Sequence, residues 1–159
     1  MLSPPRSGST LLRVMLAGHP SLFAPPELEL LSFNNMRDRK RAFSGRHSFW
    51  LEGATRAVME VHHCDAAAAK EIIQPYEDEG VGTREFYQRL QTWIGTKTLV
   101  DKSPSYALDL EILRRGEAYF EDALYIHLLR HPKGMIRSFL DSRLDEVFFL
   151  YQHLSLIHI

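Results

Sequence analysis

The chain has 159 residues, 45% hydrophobic and 25% charged, an ordinary globular balance with enough apolar material for one core. Its 19 basic and 20 acidic side chains give a formal net charge of −1, which removes the global basic field that favours nucleic-acid binding. A single cysteine, Cys64, excludes an internal disulfide, and no apolar run approaches the roughly 20 residues of a membrane span, so a soluble cytoplasmic protein is expected.

The chain opens as strand end, loop and helix. Ser3 to Ser9 is rich in Pro, Ser and Gly, Thr10 to Ala17 holds good helix formers, and Gly18-His19-Pro20 is a stop signal. Pro25-Pro26 breaks the chain again before the apolar residues Leu28, Leu30, Leu31 and Phe33. Residues 37–46 hold five Arg or Lys against one Asp, which reads as a solvated loop or as a docking surface for an acidic partner. Helical patterns cover Phe49 to Cys64 and Asp65 to Ile73, with Asp65 placed as an N-cap. Gln74 to Gly82 reads as a loop. Thr83 then starts an amphipathic helix with Phe86, Leu90, Trp93 and Ile94 on one face.

Thr98-Leu99-Val100 is a short buried-strand candidate, and Ala107 to Phe120 is predicted to be helical. Ala123 to Leu129 is the clearest strand pattern and ends at Arg130. Pro132 suits a first helical turn, and the helix is expected to run to about Phe148 with Ile136, Phe139, Leu140, Leu144 and Val147 on one side. Strands alternating with helices predict an α/β layered fold with a parallel sheet. Only Met1 and Leu2 precede the first loop, and Leu154 to Ile159 carries no turn or cap signal. Both ends are therefore expected to be cut, with residues 1–153 as one incomplete domain and 154–159 as a foreign tail.

Three segments carry chemistry. In Pro5-Arg6-Ser7-Gly8-Ser9-Thr10, a glycine-containing loop meets a helix start, so successive amides and the helix dipole converge on one point and make an anion cradle. A nucleoside triphosphatase loop would place Lys after the glycine; here Ser9-Thr10 follows Gly8 and the local cation is Arg6, which suits forked recognition of a phosphate or sulfonate without a metal. Arg130 stands at the carboxyl end of a predicted strand with Ser138 eight residues later, so both can face one crevice. In Asp101-Lys102-Ser103-Pro104, Lys102 follows a third strand candidate, on the same rim, where a cation stabilises charge growing on a departing oxygen. A helix-capping turn, a surface arginine and a loop lysine would show the same residues one at a time; their order and spacing together are more specific. His62-His63-Cys64 places adjacent helical residues on different faces, and no metal site is expected.

Pro5 to Leu12 resembles the 5′-phosphosulfate loop of sulfotransferases that use 3′-phosphoadenosine-5′-phosphosulfate (PAPS). Arg130-His131-Pro132-Lys133 with Ser138 resembles their 3′-phosphate motif, and Asp101-Lys102-Ser103-Pro104 is similar to the Lys-Ser/Thr-Pro element between them. The resemblance covers residues 2–153. With Leu11 to Pro20, Pro26-Glu27-Leu28 and Tyr125 to Phe139, it is closest to the sulfotransferase domains of modular polyketide and olefin synthases. It implies a P-loop NTPase-like three-layer fold with a central parallel sheet. It implies transfer of the PAPS sulfonate to an acceptor hydroxyl, the β-hydroxyl of an acyl chain on an acyl carrier protein, with adenosine 3′,5′-bisphosphate (PAP) as product and no metal. Arg6, Ser7, Gly8, Ser9, Thr10, Arg130 and Ser138 would bind the donor; Arg6, Lys102 and Glu27 would be catalytic, with Glu27 as general base. Glu29, or a residue beyond the end of the chain, is an alternative base. A P-loop kinase or nucleotide hydrolase and a non-catalytic nucleotide-binding fragment stay open as other readings.

Overall fold

The computed structural model describes residues 1–141. It is an α/β arrangement in which helices far outweigh a small parallel sheet. Helix α1 (Ser9–Ala17) ends at Gly18, as its stop signal predicts, and the chain turns at once into β1 (Leu22–Phe23). The partner strand β2 (Thr98–Leu99) pairs with it in parallel, Leu22 opposite Thr98 and Phe23 opposite Leu99. β2 is where the sequence placed a strand, but Thr98 is exposed and Leu99 only half-buried. Being short and paired with β1 through the backbone, it needs little side-chain burial.

Between the two strands lies a helical block. Helices α2 (Met36–Ala42), α3 (Glu52–His62) and α4 (Ala66–Glu79) pack on one another, and α5 (Thr83–Ile94) completes the block. A 3-10 turn over Gly45–Leu51 separates α2 from α3, so the helical pattern from Phe49 to Cys64 is two elements rather than one. Asp65 caps α4 as predicted, accepting from the Ala68 amide at 2.9 Å. Phe86 and Leu90 of α5 are fully buried, and Phe86 meets Tyr76 edge-on with 5.3 Å between ring centroids.

Two expectations fail in this block. Residues 37–46 are not a solvated loop: α2 occupies most of them, and Arg39 is 1% exposed. Its guanidinium donates to the carbonyl oxygens of Leu28 and Trp50, while Lys40 pairs with Glu77 and Asp78. Within the run only Arg39 is buried; Lys40 is half-buried, and Arg37, Arg41 and Arg46 stay exposed. Nor does Gln74 begin a loop. α4 continues through Pro75 to Glu79 and stops only at Gly80, whose φ of 72° provides the left-handed C-cap. The proline costs one backbone hydrogen bond; buried Ile73, Tyr76 on Phe86 and Glu77 on Lys40 hold the helix on either side of it.

The second half of the described chain is looser. The predicted helix from Ala107 to Phe120 divides into a 3-10 turn (Pro104–Leu108) and α6 (Leu110–Tyr119), because Asp109 adopts an extended conformation and caps α6. Ala123 to Leu129 forms no extended ladder; it makes one parallel bridge, His127 beside Leu2. Leu2 donates to Ile126 O and accepts from the Leu128 amide, while Leu124 is 91% exposed. Pro132 does open α7 (Pro132–Asp141), which buries Met135 and Phe139 but leaves Leu140 exposed, against expectation. Leu144, Val147, the expected helix end near Phe148, and the expected domain boundary at 153 with its 154–159 tail lie outside the described residues.

Between β1 and α2 runs a segment with no regular structure and almost no exposure: Ala24, Pro25, Leu28, Glu29, Leu30 and Leu31 are all buried. A buried irregular backbone must find its hydrogen bonds elsewhere. Arg13 donates to Ala24 O, Arg39 to Leu28 O and Arg115 to Leu31 O, at 2.8, 3.0 and 2.6 Å. The amides of Glu29, Leu30 and Leu31 are taken by Ser103 Oγ and Tyr106 OH. Side chains from four different parts of the chain thus fix the segment that carries Glu27.

Candidate functional site

The site starts from backbone conformations that most residues avoid. Arg6 and Gly8 have positive φ, 62° and 90°, and Gly8 is the N-cap of α1. Glycine takes this conformation without steric cost, and no heavy atom stands within 4 Å of where its Cβ would be. No side chain caps α1 and its first turn has no carboxylate, so the amides at its start are left to an outside acceptor. The Ser7 hydroxyl in this loop and the Ser3 hydroxyl just before it are buried without a hydrogen-bond partner. Each such orphan costs about 1–3 kcal/mol, and the uncapped amides at the start of α1 offer donors to an oxyanion. The residues present therefore fit an anionic group.

Two residues from the far end of the described chain meet this loop. Arg6 Nε donates to Ser138 Oγ at 3.0 Å, and Arg130 Nη1 donates to the Arg6 carbonyl oxygen at 2.8 Å. The Leu2–His127 bridge brings Arg130 to the loop, and α7 carries Ser138 back over it. Gly134 makes room: a Cβ there would stand 3.0 Å from Arg130 Nε. Sequence reasoning missed Gly134, although a glycine inside a helical pattern is a signal of close approach.

On the other side of the loop stands Lys102, 2% exposed. Its ammonium pairs with the Glu27 carboxylate and donates to Thr10 Oγ1 at 3.4 Å. The structure thus gathers the predicted residues into two adjoining groups, Arg6–Arg130–Ser138 and Lys102–Glu27–Thr10, joined by the loop and the start of α1. Ser9 is buried in the first turn.

Glu29 does not join them. It is 3% exposed, with a φ of 50°, and accepts from Ser105 at 2.6 Å and Ser32 at 3.3 Å. Burial pushes its carboxyl up to about 7, with the Ser105 hydroxyl opposing the shift. It accepts from Ser105 and Ser32 rather than pairing with Lys102, yet it feels the charge of Glu27.

Behind the site lies a hub that sequence reasoning did not find. Asp101 accepts from Tyr87 at 2.5 Å, Tyr106 at 3.1 Å and Ser103 at 3.2 Å. Burial raises the Asp101 carboxyl above its ordinary range, while these hydroxyls pull it down. Among the described residues no group of three or more His, Cys, Asp or Glu is placed to hold a metal, and no helix is long and apolar enough to cross a membrane.

A family model described as the sulfotransferase family matches residues 1–149. The chain is 31% identical over 149 residues to the nodulation protein NoeE of Sinorhizobium fredii, an alignment covering 87% of this chain and 30% of that protein. It is similar to the solved sulfotransferase domain of the Synechococcus PCC 7002 olefin synthase, with 44% identity and a TM-score of 0.85, covering 91% of this chain and 52% of that one. The sulfotransferase domain from the curacin biosynthetic pathway matches with 48% identity and a TM-score of 0.85, covering 92% and 51%. The chain therefore spans about half the length of these solved domains and under a third of NoeE.

Proposed function

The chain belongs to the sulfotransferase family, and from that premise we propose that it forms the donor-binding part of an enzyme moving the sulfonate of PAPS to an acceptor hydroxyl. The observation that carries the reading is the meeting of Arg6, Arg130 and Ser138 at an uncapped helix start, with Lys102 and Glu27 alongside. Arg130 and Ser138 would hold the 3′-phosphate that distinguishes this donor from ATP. Arg6 and the amides of Ser7 to Thr10 would hold the 5′-phosphosulfate. The P-loop NTPase-like layering belongs to this same reading.

The acceptor oxygen attacks sulfur in line, an S–O bond forms, and the bond from sulfur to the phosphate oxygen breaks to release PAP. Glu27 takes the hydroxyl proton. Lys102 meets the charge growing on the departing oxygen. In the structure these two side chains neutralise each other, so each must exchange this partner for a substrate atom before the reaction. We assign the acceptor as the β-hydroxyl of an acyl chain on a carrier protein, supported by likeness to domains of an olefin synthase and the curacin pathway, and place the protein in the cytoplasm.

Calorimetry with PAP, ADP and ATP tests the donor. PAP is expected to bind best, and Arg130→Ala to weaken it roughly 10- to 100-fold while leaving ADP unchanged. Equal binding of ADP and PAP would remove the 3′-phosphate assignment and favour a nucleotide-hydrolase or plain nucleotide-binding reading.

A further inference from the structure

The Glu27 and Lys102 side chains belong to segments 75 residues apart in sequence, yet their charged ends touch. The contact alone does not fix their separation, since both side chains are flexible and Glu27 is partly exposed. What fixes it must act on the two backbones. On the Glu27 side, the amides of Leu30 and Leu31 donate to Tyr106 OH at 2.8 and 3.2 Å, and the amide of Glu29 donates to Ser103 Oγ at 3.1 Å. On the Lys102 side, the same two hydroxyls donate to Asp101, the residue preceding Lys102, Tyr106 to Oδ2 and Ser103 to Oδ1. Each hydroxyl thus accepts from one segment and donates to the other. Both residues are essentially buried, at 3% and 0% exposure, so water does not compete.

We infer that Tyr106 and Ser103 are positioning residues that set the separation of the Glu27 carboxylate and the Lys102 ammonium by tying the backbone after Glu27 to Asp101. The inference rests on the proposed roles of Glu27 and Lys102 and adds residues that touch neither substrate. Tyr87 supplies an internal comparison. Its hydroxyl also donates to Asp101 Oδ2 and lies 3.3 Å from the Tyr106 hydroxyl, and it too is buried, but it makes no hydrogen bond to the segment from Glu27 to Leu31. Loss of the Tyr87 hydroxyl disturbs the hub; loss of the Tyr106 hydroxyl cuts the tie.

The test compares Tyr106→Phe, Ser103→Ala and Tyr87→Phe in the full-length protein, with Glu27→Gln run in parallel. Both phenylalanine variants keep the ring and its packing. Tyr106→Phe is expected to lower kcat roughly 10- to 100-fold, the scale of a misplaced catalytic group, with PAP affinity and donor KM within about threefold of wild type. Amide exchange at Leu30 and Leu31 should quicken in Tyr106→Phe only. Ser103→Ala should lower kcat in the same direction, and Tyr87→Phe should stay within about threefold of wild type. Equal losses in Tyr87→Phe and Tyr106→Phe, or a Tyr106→Phe kcat near wild type while Glu27→Gln is impaired, would overturn the positioning role and leave the proposed function standing. Full turnover in Glu27→Gln would instead overturn the assignment of the base, and the positioning role with it. If Tyr106→Phe melts early, amide exchange limited to Leu30 and Leu31 still supports the tie, and exchange quickened evenly across the fold counts against it.

Discussion

Glu27 is held by a contact with Lys102 that would have to open if it serves as the proposed base. Its carboxylate meets Lys102, and Lys102 also reaches Thr10 at the start of α1, so under the proposed roles donor and acceptor chemistry would share one ammonium. Replacing Glu27 with Gln keeps the shape and removes the proposed base. Turnover is expected to fall roughly 10²- to 10⁴-fold, with PAP binding retained, in a steady-state assay paired with calorimetry. Unchanged turnover would take Glu27 out of the mechanism. At this scale the sequence was informative where chemistry is local. Arg6, Gly8, Arg130, Ser138 and Lys102 drew attention because a loop-to-helix junction and two predicted strand ends place such residues on one rim, although the segment before Arg130 makes only a single bridge. Tyr106, Ser103 and Asp101 were not singled out, because their work is to satisfy amides of a distant irregular segment, and no local pattern encodes that.

Helices were legible where periodicity and caps agree. Asp65 before α4, Thr83 at the start of α5 and Pro132 at the start of α7 all stand where a helix needs them. Tertiary packing overrode local signals elsewhere. Pro75 stays inside α4, and the basic run folds as α2 because Arg39 finds carbonyl oxygens inside. The same override appears at Gly53 of α3. A Cβ there would stand 1.8 Å from the Glu27 carbonyl oxygen and 2.6 Å from its carbon, so α3 can approach the Glu27 backbone only through a glycine. Helix propensity alone predicts that alanine stabilises by up to about 1 kcal/mol. We expect the opposite: Gly53→Ala should cost at least about 1–3 kcal/mol, as overpacking does, and lower turnover by displacing Glu27. Gly116 of α6 is the matching control, because a Cβ there meets only side chains, Leu31 Cδ1 at 3.5 Å and the Tyr125 hydroxyl at 3.9 Å. Thermal melts of both variants decide it. Equal stabilisation by the two alanines would mean that the α3 contact yields without cost.

For the molecule as a whole, the segment beneath the site carries an acid that burial disfavours when charged. Glu29 has its carboxyl raised from 4.5 to about 7, mainly by burial, and it sits in a left-handed backbone conformation held by the same hydroxyl network. Between those two pH values the folded state holds a proton that the unfolded chain has released. Stability contributed by this group therefore falls as pH rises from about 4.5 to about 7, and the full penalty is present above that range. A shift of this size corresponds to at most about 3 kcal/mol. Asp101 is shifted in the same direction and the Met1 ammonium is lowered, so a single stability curve mixes several groups. The difference between wild type and Glu29→Gln isolates one of them. A glutamine accepts from Ser105 with no charge to bury, so the variant should be the more stable protein at pH 8, and the gap should close as pH falls toward 4.5. Urea unfolding at pH 5, 6, 7 and 8 measures it. Parallel curves would mean that Glu29 ionises at its ordinary value and that the irregular segment opens enough to hydrate it. That outcome would also weaken the claim that four sets of side chains hold Glu27 rigidly, because Glu29 lies two residues further along the same backbone.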